Sequence, residues 1–296
     1  MSARPNAIFS SWSPRIALFA GALICLVILM HRLLGMPTPL ALNLFAVAFG
    51  LSAIAILLGV VALFDVWRRG VPGFSWALIG IFVAAGAFAW PLAYLQSFLD
   101  LPQLNDVTTD AKSPPPFRVL ARYRTGTANS VTYPSSKFAG LQAAAYPDIR
   151  PLIVDRAPEE AYEVAQETLR RLKLEIVSET PPQNGAPGLI EAIDRTMVIG
   201  FYDDVAVRVS AMPNDRARVD VRSASRYGAH DLGRNATRAR RLLTELQTRI
   251  DASVPARARR ISRAKARIEK ARSELKRRKS GSRNSADRRK PRASSQ

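Results

Sequence analysis

The chain has 296 residues and a formal net charge of +19, and its apolar and basic residues are unevenly distributed. Residues 1–99 contain five Lys or Arg and one acidic residue, residues 100–255 contain 21 and 20, and residues 256–296 contain 17 and three. One cysteine and two histidines exclude an intramolecular disulfide and Cys-rich or His-rich metal clusters, so no metal or cofactor is expected.

Three apolar runs in residues 1–100 predict a membrane region with three transmembrane helices, over about 15–34, 40–64 and 74–99. A helix needs roughly 20 apolar residues to cross the hydrocarbon core of a bilayer. The interiors of the runs contain no Asp, Glu, Lys or Arg, which argues against a transporter or pump because ion pathways usually leave ionisable residues in the membrane. Pro91 is expected to kink the third helix.

Basic residues near the ends of the runs predict the orientation of the protein. If the N-terminus and the second loop are cytoplasmic, the inner side holds four arginines: Arg4, Arg15, Arg68 and Arg69. The outer side then holds Arg32 and Lys112. We therefore expect a multi-pass protein of the bacterial inner membrane, with its soluble portion in the periplasm.

Residues 101–253 are predicted to form a soluble α+β domain. The stretch up to Ala145 has turn signals and little periodicity, whereas from Tyr146 onward the apolar periodicity alternates clearly between strand and helix. The predicted order is β-α-β-β-β-β-α, an antiparallel sheet with two helices on one face. Valines alternate with charged residues on the last two strands, so the other face is expected to carry paired opposite charges.

Charged residues on these strands are expected to form structural ion pairs. Asp203 and Asp204 are neighbours on one predicted strand and therefore point to opposite faces, which disfavours a shared acid–base or metal-binding role. An arginine such as Arg208 or Arg222 is the expected partner. The predicted ion-pair set is Asp203, Asp204, Arg208 and Asp220.

The stretch "RSASRYGAHDLGRN", residues 222–235, contains the ingredients of a catalytic triad. Ser223 or Ser225 would be the nucleophile and His230 the base, with Asp231 or Asp203 as the orienting acid. However, the sequence lacks the G-x-S-x-G motif of a nucleophile elbow. We predict no catalytic residues.

An anion site is a second interpretation of the same stretch, because arginines precede a predicted helix N-terminus. The predicted ligand or partner site comprises Arg222, Ser223, Ser225, Arg226, Asp231, Asn235 and Arg238. A third interpretation is a structural corner in which Asp231 caps the helix and occupies the same N–H groups. The sequence leaves both open.

A series of motifs resembles the DUF1499 family. They include "NDVTTD" (105–110), "QAAAYPDIRPL" (142–152), "GFYDDVAVRV" (200–209) and "VDVRSASRYGAHDLGRNATRAR" (219–240). The resemblance covers roughly residues 105–250. It implies a domain often attached to bacterial membranes by N-terminal helices, with no settled function and no established catalytic residues.

Residues 254–296 are predicted to be a basic tail, partly helical and then disordered. Its thin apolar seam and positive charge favour attachment to anionic lipid or another envelope component and disfavour nucleic acid in this location. We expect an integral membrane protein that presents a non-catalytic envelope binding or interaction module. A protein is one possible partner of this module. The alternative is an enzyme acting on a cell-envelope substrate, with its site near Arg222–Asn235.

Overall fold

The chain begins with three long apolar helices. The computed structural model describes Ala7 and residues 9–252. The helices are α1 (Trp12–Leu33), α2 (Thr38–Arg69) and α3 (Phe74–Ala93). Each is long and apolar enough to cross a membrane. The three predicted apolar helices are therefore confirmed.

The apolar helices pack against one another through small residues. Ala17, Ala55 and Ala84 form a buried cluster between them. A Cβ atom on Gly80 would overlap the hydroxyl of Ser13, which itself donates a hydrogen bond of 2.8 Å to the carbonyl of Ala55. Small residues allow helix backbones to approach closely, and a hydrogen bond between helices adds to the contact.

The third predicted helix is two helices. Helix α3 ends at Ala93, and the short helix α4 (Leu95–Asp100) follows. Pro91 lies inside the last turn of α3 and has no backbone N–H to donate, and Tyr94 (φ −101°, ψ 3°) separates the two helices. The sequence indicated a kink near Pro91, but not the end of the helix just after it.

The described part of the domain is built on a six-stranded antiparallel sheet. Its strands are β1 (Asp106–Thr108), β2 (Leu152–Val154), β3 (Glu175–Thr180), β4 (Gly188–Arg195), β5 (Tyr202–Met212) and β6 (Arg216–Ser225). The spatial order is β1-β6-β5-β4-β3, and β2 also pairs with β6. The helices of the domain are α5 (Ser135–Ala145), α6 (Pro158–Arg171) and α7 (Arg234–Ala252). From β2 onward, the element order is the predicted one.

Both faces of the sheet are buried. On one face Val207 lies opposite Val221, and α6 packs on this face with Tyr162 against Gly188. On the other face Phe117 and Leu120 join a buried cluster with residues of β4, β5 and β6. The chain between β1 and α5 therefore covers charged residues predicted for this second face: Asp204, Asp220 and Arg222 are buried, whereas the side chain of Arg218 is 36% exposed.

The stretch up to Ala145, which showed little periodicity, contains β1, a 3-10 helix (Leu120–Tyr123) and α5. Gln142 of α5 acts as a strand partner for Thr108. Its amide nitrogen donates to the Thr108 carbonyl (2.7 Å), and its amide oxygen accepts from the Thr108 N–H (3.0 Å). Short elements held by side-chain-to-backbone bonds leave no periodic pattern in the sequence.

The apolar helices and the domain up to Leu246 form one compact unit. The loop between β4 and β5 contacts the end of α1, where His31 is buried. One ring nitrogen of His31 lies 2.8 Å from the carbonyl oxygen of Ile199 and the other lies 3.0 Å from the hydroxyl of Thr38. A second unit begins at Gln247, and its described residues are the last ones of α7, which ends at Ala252. The predicted tail, residues 254–296, lies outside the described residues.

Candidate functional site

The stretch 222–235 connects β6 to α7 and forms a buried corner of the domain. The residues predicted as a ligand or partner site are all buried here: Arg222, Ser223, Ser225, Arg226, Asp231, Asn235 and Arg238. Burial of this many polar groups requires hydrogen-bond partners for them. The partners decide what the corner can do.

Arg222 is held by Asp106 of β1. Its Nε and Nη2 donate to the two carboxylate oxygens at 3.1 and 2.7 Å, and other guanidinium N–H groups donate to the carbonyls of Pro115 and Val131. The guanidinium also lies 4.3 Å from the centre of the Phe117 ring. Burial raises the pKa of Asp106, and the hydrogen bond and charge of Arg222 partly offset this effect.

Two arginines bind Asp204 on the same face. Nε of Arg124 and Nε of Arg226 each lie 2.8 Å from one of its carboxylate oxygens. The guanidinium of Arg226 lies 5.0 Å from the ring centre of Tyr123 and 5.2 Å from that of Tyr202. Arg226 is therefore enclosed by protein groups.

Arg238 of α7 binds four side chains on the opposite face. It donates to Asp194 (2.7 Å), to Asp203, to the hydroxyl of Ser223 (2.8 Å) and to the side-chain oxygen of Asn235 (2.8 Å). Burial acts to lower the pKa of Arg238, but the two carboxylates outweigh burial and raise the pKa. This network ties the first turns of α7 to β4, β5 and β6.

The partners of Asp203 and Asp204 differ from the expected ones. They point to opposite faces, and Asp204 binds Arg124 and Arg226 whereas Asp203 binds Arg238, so none of the three arginines is Arg208 or Arg222. Arg208 binds Asp220 (2.9 Å) together with Asp110 (3.2 Å). The observed partners lie outside the two strands that the sequence pattern compares: Arg124 lies before α5, Arg226 directly follows β6, and Arg238 lies on α7.

Asp231 caps helix α7. Its two carboxylate oxygens accept from the N–H of Gly233 (2.8 Å) and of Asn235 (2.9 Å). Burial raises the pKa of Asp231 although these hydrogen bonds act to lower it. Of the alternatives drawn from the sequence, the capping role is the one observed, so these N–H groups are already occupied.

The components of a triad are not joined. His230 accepts from the N–H of Leu232 (2.9 Å) through Nδ1, and its Nε2 lies 3.1 Å from the carbonyl oxygen of Leu101. A carbonyl accepts only, so this geometry places the proton on Nε2, and both ring nitrogens are engaged with backbone groups. Ser225 accepts from Asn235 (3.0 Å). Between Ala7 and Ala252 no hydrogen bond joins His230 to a serine.

Sequence reasoning missed several residues of the network: Asp106, Arg124, Glu191 and Asp194. Glu191 of β4 is buried, and its carboxylate accepts from the backbone N–H groups of Arg118, Val119 and Leu120 at 2.8 to 3.1 Å. A carboxylate inside the apolar run from Leu189 to Ile193 was the signal for it. No sequence signal indicated Arg124, since it lies in an irregular segment.

A cavity of about 320 Å³ lies beside the corner, between the end of α6, the start of β3 and the first turns of α7. Its apolar wall is formed by leucines: Leu172, Leu174, Leu232 and Leu242. Its polar wall contains Arg234, Arg238, Arg241, Thr237 and Asp194. Arg234 and Arg241 are exposed, and neither has a carboxylate within 4 Å among the described residues.

The family comparison decides the identity of the domain. Residues 106–246 match the DUF1499 family model, described as a protein of unknown function. The buried corner and the cavity both lie in this DUF1499 domain. A search of curated proteins finds no match for the chain. No group of three or more His, Cys, Asp or Glu that could hold a metal ion occurs in the searched part of the chain, Ala7 and residues 9–252.

Two solved structures are similar to part of the chain. The crystal structure of TTHA0849 from Thermus thermophilus matches at 15% identity with a TM-score of 0.20, covering 34% of this chain and 94% of that chain. The crystal structure of Ara h 8.0201 matches at 10% identity with a TM-score of 0.20, covering 35% and 96%. These scores are too low to transfer a fold or a ligand to the DUF1499 domain.

Proposed function

We propose that this protein is a multi-pass protein of the bacterial inner membrane whose DUF1499 domain is a non-catalytic binding module in the periplasm. The ligand we propose is an amphipathic anion of the cell envelope, bound in the cavity at the start of α7. The basic residues 256–296 would add electrostatic attachment to anionic lipid on the same side of the membrane.

The composition of the cavity carries this proposal. Arg238 is neutralised by Asp194 and Asp203, whereas Arg234 and Arg241 have no carboxylate partner among the residues described. A wall with two uncompensated guanidiniums facing four leucines suits a ligand with an anionic group and an apolar body. A sugar without charge would gain no charge-assisted hydrogen bond from either arginine.

The hydrogen bonds of the corner favour binding over catalysis. The candidate nucleophiles, the candidate base and the acids all bind groups that fix the fold. General base catalysis needs a nitrogen or carboxylate within reach of the nucleophile's proton, and His230 has both nitrogens engaged elsewhere. The enzyme alternative therefore lacks a base next to Ser223 or Ser225.

Charge reversal in the cavity tests the proposed ligand class. The probe is 8-anilinonaphthalene-1-sulfonate, an anion with an apolar body, titrated by fluorescence into the full chain in nanodiscs of phosphatidylcholine. The double variant Arg234→Glu/Arg241→Glu is expected to weaken binding about tenfold or more, because it removes the charge-assisted hydrogen bonds.

Two controls isolate the cavity. The double variant Arg150→Glu/Arg216→Glu makes the same change in net charge outside the cavity and is expected to bind like the wild type. N-phenyl-1-naphthylamine, an uncharged analogue of the probe, should be unaffected by either double variant. Equal dissociation constants for the sulfonate in both double variants would refute the proposed site.

Reporter fusions test the proposed orientation. Basic residues near the helix ends favour a cytoplasmic loop between α2 and α3 and a periplasmic domain. An alkaline phosphatase that is active only outside the cytoplasm, fused after Ala252, is expected to be active. The same enzyme fused in the α2–α3 loop should be inactive. The reverse pattern of activity would place the domain in the cytoplasm.

A further inference from the structure

An apolar loop of the domain lies at the end of the membrane helices. The hairpin between β4 and β5 carries Met197 and Val198, which are 85% and 44% exposed, followed by Ile199 and Phe201. Ile199 and Phe201 pack against the buried cluster of α1 and α2 that contains Phe45. Exposed apolar side chains that adjoin membrane helices favour contact with lipid over contact with water.

A large apolar cavity lies between this loop and the helices. Its volume is about 590 Å³, within the roughly 300–1,000 Å³ of small-molecule sites. Lining residues come from α1 (Ile24, Ile28), from α2 (Phe45, Phe49) and from the loop. Trp90, Leu95 and Phe98 also line it, and each is about half exposed, so the cavity is open to its surroundings. In a bilayer those surroundings are acyl chains.

Two arginines lie close in sequence to residues that line the cavity, which include Ile28 and Val198. Arg32 follows Ile28 by one turn of α1, and Arg195 ends β4 just before the loop. One N–H of each side chain is used by a backbone carbonyl, since Arg32 donates to Thr196 (2.9 Å) and Arg195 donates to Arg32 (3.1 Å). Nε of Arg195 is buried without a hydrogen-bond partner.

The two guanidiniums are neighbours. A Cβ atom on Gly200, which has φ +85°, would lie 3.2 Å from Arg195 Nη2 and 3.5 Å from Arg32 Nη1. Within Ala7 to Ala252, neither arginine has a carboxylate closer than 4 Å, unlike the arginines of the buried corner. Two half-buried like charges repel each other, and an anion between them would relieve the repulsion.

We propose that one anionic phospholipid of the bilayer binds here, with an acyl chain in the 590 Å³ cavity and its phosphate on Arg32 and Arg195. Arginine donors match phosphate oxygens, and Arg32 lies one helical turn from Ile28, which lines the cavity. The lipid would bridge α1, α3 and the β4–β5 loop and so fix the domain to the membrane surface. This inference rests on the proposed membrane insertion of the helices, but not on a ligand in the α7 cavity.

Native mass spectrometry of the full chain tests the lipid site. The protein, purified in mild detergent and delipidated, is titrated with phosphatidylglycerol or with phosphatidylcholine. The wild type is expected to retain one phosphatidylglycerol about tenfold more strongly than phosphatidylcholine. Arg32→Gln/Arg195→Gln is expected to abolish that preference, and Ala87→Phe, which fills the cavity, to weaken both lipids. Arg68→Gln/Arg69→Gln, at the opposite end of α2, removes the same number of charges and is the matched control.

A second measurement needs no variant. Phosphatidylglycerol with a photoreactive acyl chain, incorporated into nanodiscs with the wild-type chain, is expected to cross-link to peptides containing Ile28, Phe45 or Ile199. Equal retention of the two lipids by the wild type, or cross-links spread evenly over α1 to α3, would overturn the proposal. Loss of sulfonate binding in Arg234→Glu/Arg241→Glu with lipid retention unchanged would show that the two sites are independent.

Discussion

Replacing Asp204 by Asn is expected to lower the free energy of unfolding of the domain by about 3–5 kcal/mol. The substitution preserves the shape of the side chain but removes the charge that Arg124 and Arg226 both bind at 2.8 Å. The guanidiniums of Arg124 and Arg226 would then remain buried, with an uncharged amide at position 204 in place of the carboxylate. We expect the melting temperature of the full chain in detergent, followed by near-ultraviolet circular dichroism, to fall by about 10 °C.

Asp148→Asn is the matched control for Asp204→Asn. Asp148 also binds an arginine, Arg240, but the side chains of this pair are 52% and 41% exposed. Solvent-exposed ion pairs contribute about 0–1 kcal/mol, so the melting temperature should change by no more than about 3 °C. A shift of the same size in both variants would show that burial does not set the strength of these pairs.

The elements of this fold were predictable where a single segment contains the whole signal. The alternation of Val205, Val207 and Val209 predicted β5, and the stripe of Ala161, Ala165 and Leu169 predicted α6. Both patterns follow from the geometry of one strand or one helix. The signal for the three long apolar helices was equally local, because length and hydropathy alone define them.

The partners in the site were not predictable, because they join segments distant in sequence. Arg222 binds Asp106, which is 116 residues away, and Arg124 binds Asp204, 80 residues away. Nothing in either segment alone indicates the other. The alternation predicted that Asp203 and Asp204 point to opposite faces, but which arginine each one meets depends on how α7 and the segment before α5 fold over the sheet.

Charge therefore has two roles in this domain. Where arginines have carboxylates, as at Asp106, Asp204 and Asp203, they fasten loops and α7 to the sheet. Some arginines without a carboxylate partner among the described residues lie beside cavities instead: Arg234 and Arg241 line the cavity at the start of α7, and Arg195 precedes the loop that lines the larger one. Sequence composition cannot separate the two sets, since both are arginines near apolar residues. The two sets of arginines differ in whether a carboxylate binds them. Both binding proposals therefore concern arginines without a carboxylate partner among the described residues.

Replacing Glu191 by Ala is expected to cost about 3–4 kcal/mol of unfolding free energy, and replacing it by Gln about 1–2 kcal/mol. The carboxylate of Glu191 accepts from the backbone N–H groups of residues 118–120 as the chain enters the 3-10 helix. Ala removes both acceptor oxygens and leaves these N–H groups without them, the part-buried ones of Arg118 and Val119 and the buried one of Leu120. Gln preserves one acceptor oxygen, but its amide N–H₂ faces other donors.

Hydrogen exchange of the peptide over residues 115–125 distinguishes this capping role from a general loss of stability. Exchange in this peptide should accelerate more than in β5, with Ala above Gln and Gln above wild type, because the released N–H groups are those that Glu191 binds. Glu179 lies on the neighbouring strand, β3, and forms an exposed pair with Arg170 of α6. Glu179→Gln should therefore leave exchange in the peptide unchanged. If Ala and Gln accelerated exchange equally in β5 and in residues 115–125, Glu191 would stabilise the sheet as a whole rather than the segment that covers its second face.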